Sequence, residues 1–211
     1  MGFNFATRHL PSQVQQIISK REESDRLSRE EAKKTSIVKE TSENKKHSFD
    51  PIINQNSKVL ILGSMPGEES LAKNEYYANP RNEFWTITSA VIGIELSGTY
   101  EEKKKNLLEN GIALWDVMKT CERKGSLDSD IKNPEVNDFR EFLDTYRHIV
   151  AIAFNGGKAY DTFKSKVGFK FFDERKITYI KMPSTSSMKG KHVKNITDKI
   201  KEWSEIVKYI K

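Results

Sequence analysis

The sequence predicts an α/β fold: three layers, α/β/α, around a central four-stranded parallel sheet, preceded by a charged helical or disordered arm. Three observations lead there. Short continuous apolar runs alternate with segments whose apolar residues fall at helical spacing, the pattern of a parallel sheet covered on both faces. Residues 1–46 lack such runs and are crowded with Glu, Lys, Arg and Ser. Across 211 residues, 36% are hydrophobic and 31% charged, which suits one compact domain with a charged appendage better than two rich cores.

The arm comprises residues 1–46 and the domain residues 47–211. From Pro11 to Lys46 the apolar positions thin out to Val14, Ile17, Ile18, Leu27, Ile37 and Val38. The spacing of Val14, Ile17 and Ile18 is helical, and Ser28-Arg29-Glu30-Glu31 resembles a capping box. The stripe is too sparse to bury much surface. It reads as a solvated helix or a disordered arm, with a DNA-tracking or partner-binding role as the sharper alternative.

Within the domain, Lys58–Gly63 (KVLILG) is a continuous apolar run ending in a glycine turn, as a buried parallel strand requires. Residues 82–92 predict a helix through Phe84, Trp85, Thr88, Val91 and Ile92. Residues 100–110 predict a charged surface helix stopped by Gly111, and residues 112–117 a second strand. An amphipathic helix is expected over 137–146, a third strand over 148–154 and a helix over 156–166. A fourth strand over 176–182 and a closing helix over 193–209 complete the pattern. In such sheets ligands sit at the carboxyl ends of the strands.

Composition excludes several classes. The single cysteine, Cys121, allows no intrachain disulfide and argues against a Cys₄ zinc or iron–sulfur site. The first residues lack a signal-peptide pattern, and no apolar run approaches the roughly 20 residues that span a bilayer. The expectation is a soluble, intracellular, cytoplasmic protein without membrane partners. A formal net charge of +6 suits a phosphate-rich partner, because basic side chains release counterions from nucleic acid.

After the first strand comes Gly63-Ser64-Met65-Pro66-Gly67, where Gly and Pro-Gly allow a sharp turn and a close approach of backbone N–H groups to a ligand. An ordinary βα turn is the plainer reading. Tyr76-Tyr77-Ala78-Asn79-Pro80-Arg81-Asn82-Glu83-Phe84-Trp85 offers tyrosine faces on which a base can stack, or simply corner tyrosines. Asn82 fits either a helix N-cap or a water-holding amide.

These motifs resemble the opening of the uracil-DNA glycosylase superfamily, whose mismatch-specific branch has a similar Gly-x-Asn-Pro-Gly followed by an aromatic and Asn-x-Phe-Trp. Met65 stands where that branch places its catalytic Asn. Gly111–Val117 (GIALWDV), Cys121–Ile131 (CERKGSLDSDI), Phe154–Ala159 (FNGGKA) and Met182-Pro183-Ser184-Thr185-Ser186 narrow the resemblance to the hypoxanthine-DNA glycosylase, or DNA-deoxyinosine glycosylase, branch. It covers Ser48 to Lys211. That branch tends to continue Pro-Ser-Thr-Ser with Pro-Ala-Asn, whereas this chain has Ser187-Met188-Lys189-Gly190.

The resemblance implies a monofunctional glycosylase that flips a deaminated base from duplex or single-stranded DNA and hydrolyses its glycosidic bond. It implies that Asn82 positions the water and that N–H groups around Gly63, Ser64 and Met65 meet the departing base. Tyr77 would stack on that base. Asn155 would read its edge, or serve only as the turn residue before Gly156-Gly157. Pro183, Ser184, Thr185 and Ser186 would contact phosphate, and Met188 or Lys189 would fill the gap left by the flipped base. The stretch between Glu174 and Asp198 holds no acidic residue but contains Arg175, Lys176, Lys181, Lys189, Lys191 and Lys194, consistent with a DNA-facing turn. Asp116 and Asp128 lack a companion ligand cluster and read as structural, so no metal and no cofactor is expected. The chain is expected to act as a monomer. Competing readings are a uracil-preferring or multi-base glycosylase, a non-catalytic DNA-binding descendant, and a small-nucleotide hydrolase.

Overall fold

A computed structural model describes residues 12–187 and 194–210, so Met188 and Lys189 lie outside the described residues. The chain divides into two units, 1–44 and 45–211. In the first, α1 (Ser12–Asn44) is a single helix. Its span contains neither Gly nor Pro, and it holds seven basic and seven acidic residues, so it is strongly charged without being net basic. Ser28 lies inside this helix rather than at its start, which overturns the capping-box expectation there.

The second unit is built on β2 (Val59–Gly63), β3 (Ile112–Asp116), β6 (Ala151–Asn155) and β7 (Thr178–Met182), all parallel in the order β3-β2-β6-β7. The predicted central sheet is therefore present. Alternation along its strands divides the core between two faces. Leu60, Leu62, Ile152 and Phe154 point into one cluster with Phe139, Phe142, Phe163 and Phe172; Val59, Ile61, Ala151 and Ala153 point into another with Phe84, Leu107 and Trp203. Helices α5 (Phe139–Thr145), α6 (Gly157–Lys166) and α7 (Lys170–Arg175) cover the first face. The second is covered by α3 (Phe84–Ile92), α4 (Tyr100–Glu109) and α8 (Ile196–Trp203). A short α2 (Glu68–Lys73) follows the first turn, and the predicted closing helix is broken into α8, a 3₁₀ turn at Ser204–Ile206 and α9 (Val207–Ile210).

The sequence reading missed a second, three-stranded antiparallel sheet, ordered β1-β4-β5: β1 (Lys45–His47), β4 (Met118–Glu122) and β5 (Lys132–Val136). Its strands give a poor signal for physical reasons. β1 has three residues, β5 is the charged, largely exposed KNPEV, and the β4–β5 pairing carries register shifts. Pro134 is tolerated because β5 is an edge strand. This small sheet sits at the carboxyl end of β3 and delivers the segment after β4 to the turn after β2.

Candidate active site

Four parallel strands end together, and the segments leaving them meet at one place. The turn 63–67 leaves β2. Gly63 is required there, because a Cβ on it would lie 2.3 Å from Asp116 Oδ1 and 3.2 Å from Tyr77 Oη. Ser64 and Met65 donate their backbone N–H groups to no described group. Their carbonyl neighbours are tied down: Gly63 O accepts from Val117 N at 2.8 Å and Ser64 O from Met118 N at 3.1 Å. The Met65 side chain, 6% exposed, turns away into an apolar cluster with Met118, Cys121 and Ile131. What this position offers a ligand is its backbone N–H.

Tyr77 forms one wall. Its φ of 54° is left-handed, an uncommon conformation for a bulky residue, and costs about 1–2 kcal/mol. It is held there by a stack on Phe84, with centroids 3.8 Å apart and planes at 13°, and by Asn155 Nδ2, which donates to its hydroxyl at 3.1 Å. Burial, and then the nearby Asp116 carboxylate, push the Tyr77 phenol above its ordinary range, so it keeps its proton at neutral pH.

Asn155 ends β6 and is the hub of the site. Besides Tyr77, its Nδ2 donates to Thr185 Oγ1 at 2.9 Å and its Oδ1 accepts from Thr185 N at 2.9 Å. Both amide protons are thus engaged, and one lone pair on Oδ1 remains. Thr185, 1% exposed, is turned inward; its carbonyl accepts from Glu83 N at 2.9 Å. Of the three hydroxyl residues in 184–186, only Ser184 is exposed, Ser186 being half-buried. Ser184 Oγ accepts from Ser186 N at 3.2 Å. Pro183 O accepts from Trp203 Nε1 at 3.0 Å, and Ser186 O from Lys199 Nζ at 2.9 Å. Gly156, with φ of 93°, lets β6 turn beneath Ser184, whose Cβ would stand 3.0 Å from any Cβ added there.

Asn82 lies just before α3. Its Oδ1 accepts from Phe84 N at 3.0 Å, so the capping role is real, although Glu83 occupies the formal cap position. The bond also orients the amide. Nδ2 donates to no described group, and Oδ1 keeps a second lone pair. Capping and holding a water are therefore compatible in one side chain.

Two buried charges beside the site, Arg123 and Lys199, escaped the sequence reading, and Asp116, read there as structural, is buried as well. Asp116, 3% exposed, ends β3 and accepts from Ser48 Oγ at 2.7 Å. Burial pushes its carboxyl up to about 7, with the Ser48 hydrogen bond opposing, Asp128 adding and Arg123 opposing. Arg123, 1% exposed, donates through Nη2 to Pro66 O. Lys199, 2% exposed, pairs with Glu83 Oε2 at 2.6 Å. Lys199 had a signal: it falls on the apolar stripe of Ile196, Ile200 and Trp203 in α8. Arg123 had none.

Of the basic residues expected to face DNA, Arg175 pairs with Asp144, Lys181 with Asp161 at 3.3 Å, and Lys194 with Glu202. Such exposed pairs are weak and exchange readily for phosphate. Among the described residues no group of three or more His, Cys, Asp or Glu is placed to hold a metal ion, and no helix is long and apolar enough to cross a membrane.

Comparison with known proteins agrees with this architecture. Residues 51–208 match the family described as the uracil DNA glycosylase superfamily. A hypoxanthine DNA glycosylase of Methanosarcina acetivorans is 36% identical over 167 residues, which are 78% of this chain and 99% of that protein. Another from Methanosarcina barkeri is 37% identical over 129 residues, 60% of this chain and 82% of the relative. The solution NMR structure of a candidate uracil DNA glycosylase from Methanosarcina acetivorans superposes with a TM-score of 0.66 at 34% identity, covering 79% of this chain and 98% of that one. With the parallel sheet, the turn after β2 and the Asn82 helix start in the same order along the matched span, this chain belongs to the uracil DNA glycosylase superfamily.

Proposed function

We propose that this chain is a monofunctional DNA glycosylase that removes a deaminated base, above all hypoxanthine, from DNA in base excision repair. The observation that carries the reading is one convergence at the strand ends. The Tyr77 ring and the Nδ2 of Asn82 belong to segments joined by Asn155, Thr185 and Glu83, and the turn carrying the unengaged Ser64 and Met65 N–H groups abuts Tyr77 at Gly63.

The chemistry is set by these parts. A base inside a duplex hides its glycosidic bond, so the nucleotide must be flipped out. One face of Tyr77 is taken by Phe84, and the other is suited to stack on the flipped base. As the bond from C1′ to the base nitrogen breaks, its electron pair goes to the base. The N–H groups of Ser64 and Met65 stabilise that charge as an oxyanion hole does. The sugar becomes cationic at C1′, and a water held by the Asn82 amide adds its oxygen there. Such a cation needs a placed nucleophile more than a strong base. The proton lost by the water ends on the released base, leaving an abasic sugar. Asn155 contributes by setting the Tyr77 ring, and its remaining Oδ1 lone pair can accept an N–H from the base edge. Ser184 and Ser186 supply the phosphate contacts, with Thr185 anchoring the turn that carries them. Action as a monomer and a cytoplasmic location are proposed with it.

Excision from duplexes carrying one hypoxanthine, uracil or xanthine, followed by alkaline cleavage, tests the reading. Hypoxanthine is expected to be released fastest. Asn82→Ala should lower the single-turnover rate roughly 10²–10³-fold while DNA affinity stays within about threefold. A full rate in Asn82→Ala would remove Asn82 from the water site. Binding without cleavage of any substrate would leave a non-catalytic DNA-binding protein.

A further inference from the structure

The segment after β4 has no part in the chemistry above, yet it grips the turn after β2 at three places. Ser64 Oγ donates to Asp128 Oδ1 at 2.7 Å, Ser126 Oγ accepts from Glu68 N at 2.8 Å, and Arg123 Nη2 donates to Pro66 O. Arg123 Nε donates to Gly125 O at 2.8 Å, which folds the segment back on itself. The Nη1 of this 1% exposed side chain is buried with no partner among the described residues.

That arrangement is costly for a clamp alone. A guanidinium carries five N–H donors and a permanent charge, and an unmet buried donor is destabilising. Its hydrogen-bond partners are two backbone carbonyls, Gly125 O and Pro66 O, and the carboxyl its charge acts on, Asp116, is itself pushed toward its protonated form by burial. A neutral donor would hold Pro66 O without burying a cation. What distinguishes Arg123 from such a donor is a positive charge, shielded from water, behind the turn whose N–H groups face the departing base. In a low-dielectric setting a charge so placed acts over several ångströms.

We propose that Arg123 is a positioning residue for base release: it holds the Ser64 and Met65 N–H groups in place through Pro66 O, and its buried charge strengthens them as negative charge collects on the base. Arg123 exchanges no proton and forms no bond with substrate. The inference rests on the glycosylase reading above and on the assignment of those two N–H groups.

Single-turnover release of hypoxanthine from duplex DNA separates the possibilities, with the saturating rate and the half-saturating enzyme concentration measured independently. Arg123→Gln should lower the saturating rate roughly 10²-fold and leave half-saturation within about threefold, and Arg123→Lys should recover about tenfold of the loss by restoring the charge. An equal rate in Arg123→Gln and wild type would overturn the inference. So would a Lys variant as slow as the Gln variant, or a change confined to half-saturation. If Arg123→Gln does not melt cooperatively, Arg123→Lys decides: its saturating rate should fall about tenfold because the fork onto Pro66 O and Gly125 O is lost, and an unchanged rate would overturn the proposal. Wild type that releases no base would defeat the glycosylase reading and this inference together, whereas active wild type with fully active variants defeats this inference alone.

Discussion

The turns after β2 and β7 are both held by buried polar side chains, but in opposite electrical conditions. Below the 183–187 turn the polar side chains Lys199, Trp203 and Asn155 each have described partners. Lys199 is neutralised by Glu83 and caps Ser186 O, Trp203 takes Pro183 O, and Asn155 takes Thr185 on both sides. Around the 63–67 turn the charges and donors are not fully matched. Arg123 is buried with a donor unmet, and Asp116 is buried with its carboxyl held up near 7. The satisfied turn holds shape, which suits a surface that grips phosphate. The other turn keeps a buried guanidinium with an unmet donor near a buried carboxyl, and on the proposed glycosylase reading it is the preorganised part of the site.

The largest test of this contrast is at Asp116. Its carboxyl titrates from 3.8 when unfolded to about 7 when folded, so between those values the native state keeps a proton that the unfolded chain has lost. Stability therefore falls as pH rises through that window, by up to about 4 kcal/mol. Asp116→Asn keeps an acceptor for Ser48 and abolishes the slope. Urea unfolding should find the variant close to wild type at pH 4 and more stable at pH 8. Parallel pH curves for the two proteins would show that the carboxylate is already well solvated or paired.

A smaller effect is expected on the balanced side. Lys199→Met leaves Glu83, whose side chain is 27% exposed, without its cation and Ser186 O without its donor, costing about 3 kcal/mol. Because the turn loosens, DNA affinity should fall while the saturating rate of base release changes little. A variant that kept its affinity and lost its rate would reverse the roles given to the two turns.

The sequence made the central sheet legible because β2, β3 and β6 are largely buried and read as apolar runs, every residue of β2 being buried, whereas β7 at the sheet edge is mostly exposed or half-buried. The small sheet was illegible because its strands are short, charged or interrupted by Pro134. The six-residue helices α2 and α7 are too brief to show a period. The same division applies to the site. Gly63, Tyr77, Asn82 and Asn155 stand beside turns at strand ends, where ligands of such sheets are sought. Arg123 and Asp116 matter through partners remote in the chain, Pro66 and Ser48, which no local pattern announces. Thr185 shows the converse: a hydroxyl that suits phosphate on paper is committed inside the protein.

The mildest test isolates how closely the unbalanced turn is built. Gly63→Ala would place a Cβ 2.3 Å from Asp116 Oδ1 and 3.2 Å from Tyr77 Oη, so the carboxylate or the strand end must shift. Overpacking of this kind costs about 1–2 kcal/mol, with base release falling as Tyr77 is displaced. Gly67→Ala is the matched control, because its Cβ would meet Ser126 Oγ at an ordinary 3.4 Å in a backbone that any residue adopts. Thermal melts and single-turnover rates of both should separate them clearly. If Gly63→Ala instead matched Gly67→Ala, the Asp116 side chain would have room to swing aside. Its raised titration would then reflect burial alone and not a position imposed by the missing side chain at the end of β2.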